Sequence, residues 1–177
     1  MAETLWKNAA SHWTRDVMKI KLWGPLSPLA LSLAVLVLGV DQLHKWWMLQ
    51  VFDIETWQPV HVTPFLNLVL VWNRGVSYGF LASHLQAPLI AVSVIVTAIL
   101  WMWSCSLHSP VAVAAIGLVI GGALGNALDR IFYGAVADFF HLHWGSLSWY
   151  VFNLADVAIV AGVGLLLYES FRERSTR

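Results

Sequence analysis

The chain has 177 residues, of which 59% are apolar and 11% charged, with a formal net charge of zero and a mean hydropathy of +0.69. This length predicts one domain over residues 1–177, and the composition is typical of an integral membrane protein. The zero net charge gives no electrostatic reason to expect a nucleic-acid partner. The single cysteine, Cys105, excludes an internal disulfide framework and a multi-cysteine metal site.

Four apolar stretches are long enough to cross a hydrocarbon layer of about 30 Å as helices. We expect them at about residues 28–47, 87–104, 110–132 and 150–171. Lys19 and Lys21 precede the first stretch, as they would in a secretory signal. That stretch continues into the charged segment DQLHK without a small-residue cleavage site, so we expect it to be a retained span.

Basic residues are concentrated at the two ends of the chain. They are Lys7, Arg15, Lys19 and Lys21 at the start, and Arg172, Arg174 and Arg177 at the end. The loop at about 48–86 contains Asp53, Glu55 and Arg74, and the loop between the third and fourth spans has no Lys or Arg. The positive-inside rule therefore predicts that both termini are cytoplasmic and that both long loops lie outside.

The first outer loop has the composition of short strands. Its segment VHVTPFLNLVLVWN is rich in β-branched and aromatic residues and is flanked by Pro and Gly. We expect residues 55–82 to form a small sheet on the membrane surface. The predicted fold is thus an all-α membrane protein with four transmembrane helices and a small β-sheet on the outer (periplasmic) surface.

Three carboxylates, Asp129, Asp138 and Asp156, lie in the most apolar half of the chain. An ionised carboxylate at bilayer depth costs at least about 2.5–3.5 kcal/mol, so three of them indicate a use. The predicted topology places all three at one level, near the outer interface. Two carboxyls in a water-poor pocket share a proton, activate a water and protonate a leaving group, as in aspartic proteases.

Each polar pair on these helices also has a purely structural interpretation. Asp41 and Lys45 are spaced as a helix-surface ion pair. Asn126–Asp129 and Asn153–Asp156 are i, i+3 pairs that could form hydrogen bonds between helices, and nearby glycines would allow the helices to approach closely. These glycines are Gly121, Gly122 and Gly125. The adjacent residues Asp129 and Arg130 could form a structural pair at a helix end.

Two other functional classes also use membrane carboxylates or buried polar residues. A transporter or proton channel would place its carboxylates near the middle of the membrane rather than at its edge. A non-enzymatic scaffold would use them only to lock helices together. Serine protease chemistry is disfavoured, because no Gly-x-Ser-x-Gly segment is present. His141 and His143 are a weak metal signal, and we expect no metal and no cofactor.

Five motifs, in order, resemble the lipoprotein signal peptidase (signal peptidase II) family. They are DQLHK (41–45), NRGVSYGF (73–80), GGALGNALDR (121–130), GAVADFF (134–140) and FNLADVAI (152–159). The resemblance implies an intramembrane aspartic endopeptidase of the bacterial inner membrane, with its site on the outer side. It further implies substrates that carry diacylglyceryl on a cysteine and are cut just before that cysteine. The expected partners are these prolipoproteins and membrane lipids, and we expect a monomer.

The resemblance assigns catalysis to Asp138, in the G-x-V-x-D-F segment, and to Asp156, in F-N-x-A-D. Asp129 is then a supporting residue, and the adjacent Arg130 is expected to keep it ionised. Asn153 is expected to orient Asp156 or the scissile carbonyl. The remaining supporting or substrate-binding residues are Asp41, Lys45, Asn73, Arg74, Asn126 and Arg130. Departures from the family pattern are Ala137, where a branched residue is usual, and Tyr78, where Phe is commoner.

Overall fold

The computed structural model describes residues 21–75 and 86–175. In chain order these ranges form α1 (Ser27–Trp46), a π-helical turn (Trp47–Val51), α2 (Ile54–Trp57), β1 (Val60–Thr63), β2 (Leu66–Asn73), α3 (Gln86–Ser104), α4 (Pro110–Tyr133), β3 (Val136–Trp144), β4 (Leu147–Phe152) and α5 (Leu154–Ser175). The basic residues Lys7, Arg15, Lys19 and Arg177, and Tyr78 with the rest of NRGVSYGF after Gly75, lie outside the described residues.

Four of the described helices are long and apolar enough to cross a membrane. They cover Ser27–Val51, Gln86–Ser104, Pro110–Tyr133 and Leu154–Arg172. The predicted fold of four spans with a small sheet is confirmed. Helix α4 has well-defined ends: the Ser109 hydroxyl accepts the Ala112 N–H, Pro110 is its first residue, and Gly134 ends it at φ 66°.

The fourth helix begins later than the sequence suggested. The expected span included residues 150–153, but Leu147–Phe152 form strand β4, and the helix begins at Leu154. The segment LSWYVF is rich in aromatic and β-branched residues, which favour a strand when a partner strand is available. Asn153 then caps the helix, so the change from strand to helix occurs at one residue.

The sheet has four antiparallel strands in the order β1-β2-β3-β4. The prediction from residues 55–82 accounts for β1 and β2, but β3 and β4 lie between the third and fourth helical spans, where no strands were expected. Strand β3 pairs with β2, with Val71 opposite Asp138 and Asn73 opposite Val136. A β-bulge in β2 between Leu68 and Val71 precedes this pairing, a feature common beside active sites.

The alternation of side chains along β3 gives its two faces different surroundings. Ala137 and Phe139 pack with Met48 and Ile54 in a buried apolar cluster beneath the sheet. Asp138 points to the opposite face, because successive strand residues alternate. The apolar cluster therefore anchors the strand and leaves the carboxyl directed toward the helices.

Helix α4 is the central helix and packs against α1, α3 and α5. Its glycines allow the close approach that the sequence suggested. A Cβ on Gly121 would lie 2.6 Å from the carbonyl oxygen of Ala34, and a Cβ on Gly125 would lie 2.7 Å from Asp41 Oδ2. Small residues at such contacts are typical of membrane helix packing. They bring the polar ends of α1, α4 and α5 together.

Candidate active site

Asp138 is 1% exposed and accepts two amide hydrogen bonds. Asn73 Nδ2 donates to its Oδ2 at 3.1 Å, and Asn153 Nδ2 donates to its Oδ1 at 2.6 Å. Asn73 follows Val71 by two residues and so lies on the same sheet face as Asp138. The two donors come from elements on either side of the carboxyl, β2 and the start of α5, and fix its orientation.

Asp156 lies in the first turn of α5, where it shares a reciprocal cap with Asn153. Its N–H donates to Asn153 Oδ1 at 3.0 Å, and the Asn153 N–H donates to Asp156 Oδ2 at 3.3 Å. This is a capping box, with Asn153 as the N-cap and Asp156 three residues later. Asn126 Nδ2 donates to the other oxygen of Asp156 at 2.8 Å. A negative charge is stabilised at this helix end by the helix dipole.

One amide connects the two candidate catalytic carboxyls. The Asn153 side chain donates to Asp138, accepts from the Asp156 backbone, and also donates to Asn126 Oδ1 at 3.1 Å. Asn126 in turn donates to Asp156. The structure therefore brings Asp138, Asp156, Asn126 and Asn153 into one hydrogen-bonded group.

Burial raises the pKa of Asp138 from its usual 3.8 to about 6, and the neighbouring charge of Asp156 adds to the rise. Hydrogen bonds from Asn73 and Asn153, and the charge of Lys45, act in the opposite direction and are weaker. Asp138 sits on the sheet, outside the spanning helices. Asp138 therefore retains a proton more readily than an ordinary aspartate.

A buried ion cluster lies next to this group. Lys45 Nζ is 2.8 Å from Asp41 Oδ2 and 2.8 Å from Asp129 Oδ2, and the three side chains are at most 3% exposed. The interpretation of Asp41–Lys45 as a helix-surface pair is thus wrong, because both residues face the bundle interior. The two carboxylates compensate the positive charge of Lys45, whose burial without a partner would be costly in free energy.

The ionic partner of Asp129 is Lys45, which corrects the expectation that Arg130 would keep Asp129 ionised. Arg130 Nη1 instead donates to the backbone carbonyl of Asn126 at 3.0 Å. Neighbours in a helix point in different directions, so adjacent residues rarely pair. The i, i+3 pair Asn126–Asp129 also divides between two partners, because Asn126 contacts Asp156 while Asp129 contacts Lys45.

Gln42 belongs to the site and was not singled out from the sequence. Its Nε2 lies 2.9 Å from Asp129 Oδ1, 3.2 Å from Asp41 Oδ2 and 3.2 Å from the carbonyl of Gly125. The available signal was its place beside Asp41 in the DQLHK motif. An amide at the end of an apolar span needs partners for its donors, and here it connects α1 to α4.

Arg74 is exposed just after β2, and its backbone carbonyl accepts a bond from Gln86 Nε2 at 3.1 Å. Among the described residues, its side chain makes no hydrogen bond to the aspartate group. His141 bonds Ser148 Oγ at 2.7 Å through Nε2, and its ring centroid lies 5.6 Å from that of His143. Within residues 21–75 and 86–175, no three His, Cys, Asp or Glu side chains are grouped to hold a metal ion.

Comparison with known proteins gives one consistent result. The family described as "Signal peptidase (SPase) II" matches residues 33–172. A lipoprotein signal peptidase of Methylocella silvestris is 49% identical over 152 residues, which cover 82% of this chain and 88% of that protein. The enzyme of the same name from Nitrobacter hamburgensis is 50% identical over 145 residues, covering 78% and 88%.

Solved structures agree with this result. One bacterial membrane enzyme superposes with a TM-score of 0.72 at 26% identity, covering 84% of this chain and 90% of that chain. A second superposes with a TM-score of 0.69 at 28% identity, covering 79% and 90%. The chain is a multi-pass membrane protein, and the family match covers more than two thirds of it. It therefore belongs to the signal peptidase II family of aspartic peptidases, which remove the signal peptides of prolipoproteins.

Proposed function

We propose that this protein cuts diacylglyceryl-modified prolipoproteins just before the lipidated cysteine, with Asp138 and Asp156 as its catalytic pair. The observation that carries this assignment is the Asn153 side chain, which bonds Asp138 and the backbone of Asp156. Burial raises the pKa of Asp138, which suits this carboxyl to act as the proton donor. Asp156, in the first turn of α5, is assigned the role of the base.

In the proposed reaction, ionised Asp156 accepts a proton from a water molecule, whose oxygen attacks the scissile carbonyl carbon. Protonated Asp138 donates to the carbonyl oxygen as negative charge develops there. The peptide C–N bond then breaks, the proton held by Asp156 passes to the leaving amine of the cysteine, and Asp138 recovers its proton. The products are the signal peptide with a free carboxyl group and the lipoprotein with a free amino-terminal cysteine.

The supporting residues divide by position. Asn73 is exposed at the end of β2, where it bonds Asp138 through Nδ2 and accepts the Gly75 N–H through Oδ1 at 2.8 Å. It orients Asp138 at the side open to substrate. Arg74 and Arg130 supply guanidinium groups for the peptide backbone or the lipid phosphate region.

The proposed topology places both termini in the cytoplasm and the site at the periplasmic side of the inner membrane. Arg172 and Arg174 lie at the end of α5 opposite Asp156, in agreement with the positive-inside rule. All spans form one membrane domain, and the protein acts as a monomer. No cofactor or metal is required, since the two carboxyls supply both proton transfers.

The substrate acyl chains are proposed to remain in the bilayer during cleavage. A cavity of about 400 Å³ with an almost entirely apolar lining opens between α1, α3 and α4. In its lining, Leu38 lies three residues, about one helical turn, before Asp41, and Leu124 lies two residues before Asn126. An acyl chain in this groove would leave the adjoining peptide bond at the level of the carboxyls.

The test is cleavage of a lipidated precursor by purified Asp138→Asn and Asp156→Asn variants. Each variant is expected to lose at least about 1,000-fold in kcat while remaining folded, because Asn cannot transfer the proton. Asp53→Asn is the matched control: this exposed aspartate at φ 53° lies in the same outer region, and Asn tolerates the left-handed conformation. Asp129→Asn is expected to retain some activity. Full activity of either dyad variant would contradict the assignment.

A further inference from the structure

Each of the two carboxylates in the buried ion cluster accepts a backbone N–H from the residue that precedes a proposed catalytic aspartate. Asp41 Oδ1 accepts the N–H of Ala155 at 3.0 Å, and Ala155 immediately precedes Asp156. Asp129 Oδ2 accepts the N–H of Ala137 at 3.1 Å, and Ala137 immediately precedes Asp138. Each noncatalytic carboxylate therefore bonds the residue before a catalytic one.

We propose that Asp41, Lys45 and Asp129 form a clamp that sets the spacing of the two catalytic carboxyls. This inference rests on the proposed function of Asp138 and Asp156. The clamp residues act through the backbone and are positioning residues. They do not bind substrate, because each of their side chains is at most 3% exposed.

The connection between the two arms is a single ammonium group. Lys45 Nζ lies 2.8 Å from Asp41 and 2.8 Å from Asp129, so a movement of one carboxylate changes the ion pair of the other. Gln42 Nε2 makes a second bridge, to Asp41 Oδ2 and to Asp129 Oδ1. The contacts join α1 and α4 to the first turn of α5 and to β3, the two elements that carry the dyad.

This arrangement is needed because the dyad residues belong to elements with independent anchors. Strand β3 is anchored by the apolar cluster of Ala137 and Phe139, whereas α5 is packed against α4 in the membrane. A misplacement of about 1 Å at a reacting group costs roughly 100-fold in rate. A buried, charge-assisted connection between the two backbones fixes the distance that the shared proton requires.

The spacing has a measurable consequence in the pH dependence of kcat/KM. The charged groups facing Asp138 are Asp156 from α5, Lys45 from α1, and Arg130 and Asp129 from α4. The charge of Asp156 favours protonation of Asp138, and this effect weakens with distance. Loosening the clamp should therefore shift the alkaline limb of the pH profile toward lower pH.

Two variants test the clamp in different ways. Asp41→Asn retains an oxygen for the Ala155 N–H but loses the charge that binds Lys45. Gly125→Ala keeps every charge and places a Cβ 2.7 Å from Asp41 Oδ2, which must then move. The second variant decides the question if the first does not fold. A fluorogenic diacylglyceryl peptide in detergent serves as substrate for kcat, KM and their pH profiles.

Two control variants match these changes away from the dyad. Glu169→Gln breaks the ion pair between the buried Glu169 and the half-exposed Arg172, at 2.8 Å, near the far end of α5. Gly164→Ala adds a Cβ that meets nothing within 4 Å. Both controls are expected to keep the wild-type kcat and pH profile, even where Glu169→Gln lowers the melting temperature.

The expected result for each clamp variant is a fall in kcat of at least about tenfold, with KM within about twofold of wild type. The alkaline limb of kcat/KM should also move down by about half a pH unit. An unchanged limb and kcat in Gly125→Ala, or the same limb shift in Glu169→Gln, would overturn the clamp. Failure of the proposed function is separate, because it would appear as activity in the Asp138→Asn or Asp156→Asn variant.

Discussion

At the scale of single residues, the site depends on amides as much as on carboxylates. Asn73, Asn126 and Asn153 each contact one of the two proposed catalytic carboxyls, and Gln42 bonds both Asp41 and Asp129. An amide donates to a carboxylate without adding charge. Among the described residues, Lys45 is the one cation in ion pairs with Asp41 and Asp129, and the amides add donors to the carboxylates without adding a second buried charge.

The pKa of Asp138 predicts a pH-dependent stability. It is about 6 in the folded state and about 3.8 otherwise, so the folded state binds this proton more tightly. The free energy of unfolding should then fall as the pH rises from about 4 to about 6. At about 1.36 kcal/mol per pKa unit, this group contributes up to about 3 kcal/mol of the loss.

Asp138→Asn removes this titration and should flatten that part of the pH dependence. The measurement is the melting temperature of wild type and variant in the same detergent at pH 4.5 and 7.5. The wild type should lose several degrees more than the variant between these values. Asp53→Asn serves as the control, since Asp53 is exposed. Equal pH dependence in wild type and Asp138→Asn would contradict a raised pKa.

At the scale of elements, helix α5 begins at a residue that also serves the site. Asn153 is both its N-cap and the donor to Asp138. The sequence FNLAD is thus a capping box whose third helical residue is the proposed base. The same contacts that start the helix place Asp156.

Substitution of Asn153 should separate these two tasks. Ser is a good N-cap but lacks the amide that reaches Asp138, whereas Ala provides neither. Asn153→Ser should be more stable than Asn153→Ala by about 1 kcal/mol. Both should lose at least about tenfold in kcat, because neither contacts Asp138 or Asn126.

Thermal unfolding and single-substrate kinetics on the two variants provide the comparison. Their melting temperatures report the cap, and kcat reports the amide. Wild-type kcat in Asn153→Ser would mean that Asn153 acts only as a helix cap.

At the scale of the whole molecule, the site lies where a helical membrane body meets a sheet. Strands β2 and β3, from different interhelical loops, contribute Asn73 and Asp138, while the helices contribute Asp156 and the clamp. Carboxyls at this level lie near the glyceryl region of a membrane lipid in the proposed topology. Peptide and acyl chains can then be bound on opposite sides of the dyad.

This geometry predicts that the lipid directs cleavage. Each buried methylene contributes about 0.8 kcal/mol, so two acyl chains bind the cysteine at the level of the dyad without a deep peptide pocket. An unlipidated precursor of the same sequence should be cut at least about 100-fold more slowly. Both are compared at equal surface concentration in one bilayer composition. Equal rates would show that the peptide sequence alone directs cleavage.

The sequence by itself determined the four spans, because length and apolar composition are local properties that a membrane selects directly. It also identified most of the polar residues that the structure brings together, although not Gln42, and, through five ordered motifs, the family. Their catalytic roles remain a prediction, which the dyad variants test.

Only the tertiary structure decided which polar groups meet. Asp129 pairs with Lys45 rather than with its neighbour Arg130. Strand β3 pairs with β2, although α3 and α4 separate the two strands in the sequence, and α5 starts at Leu154. The first two outcomes depend on contacts between residues far apart in the chain, whereas the start of α5 depends on the pairing of β4 with β3 and on the Asn153 cap. Local composition fixes what a segment can form, whereas strand pairing and buried ion pairs depend on which partners the packed helices bring within reach.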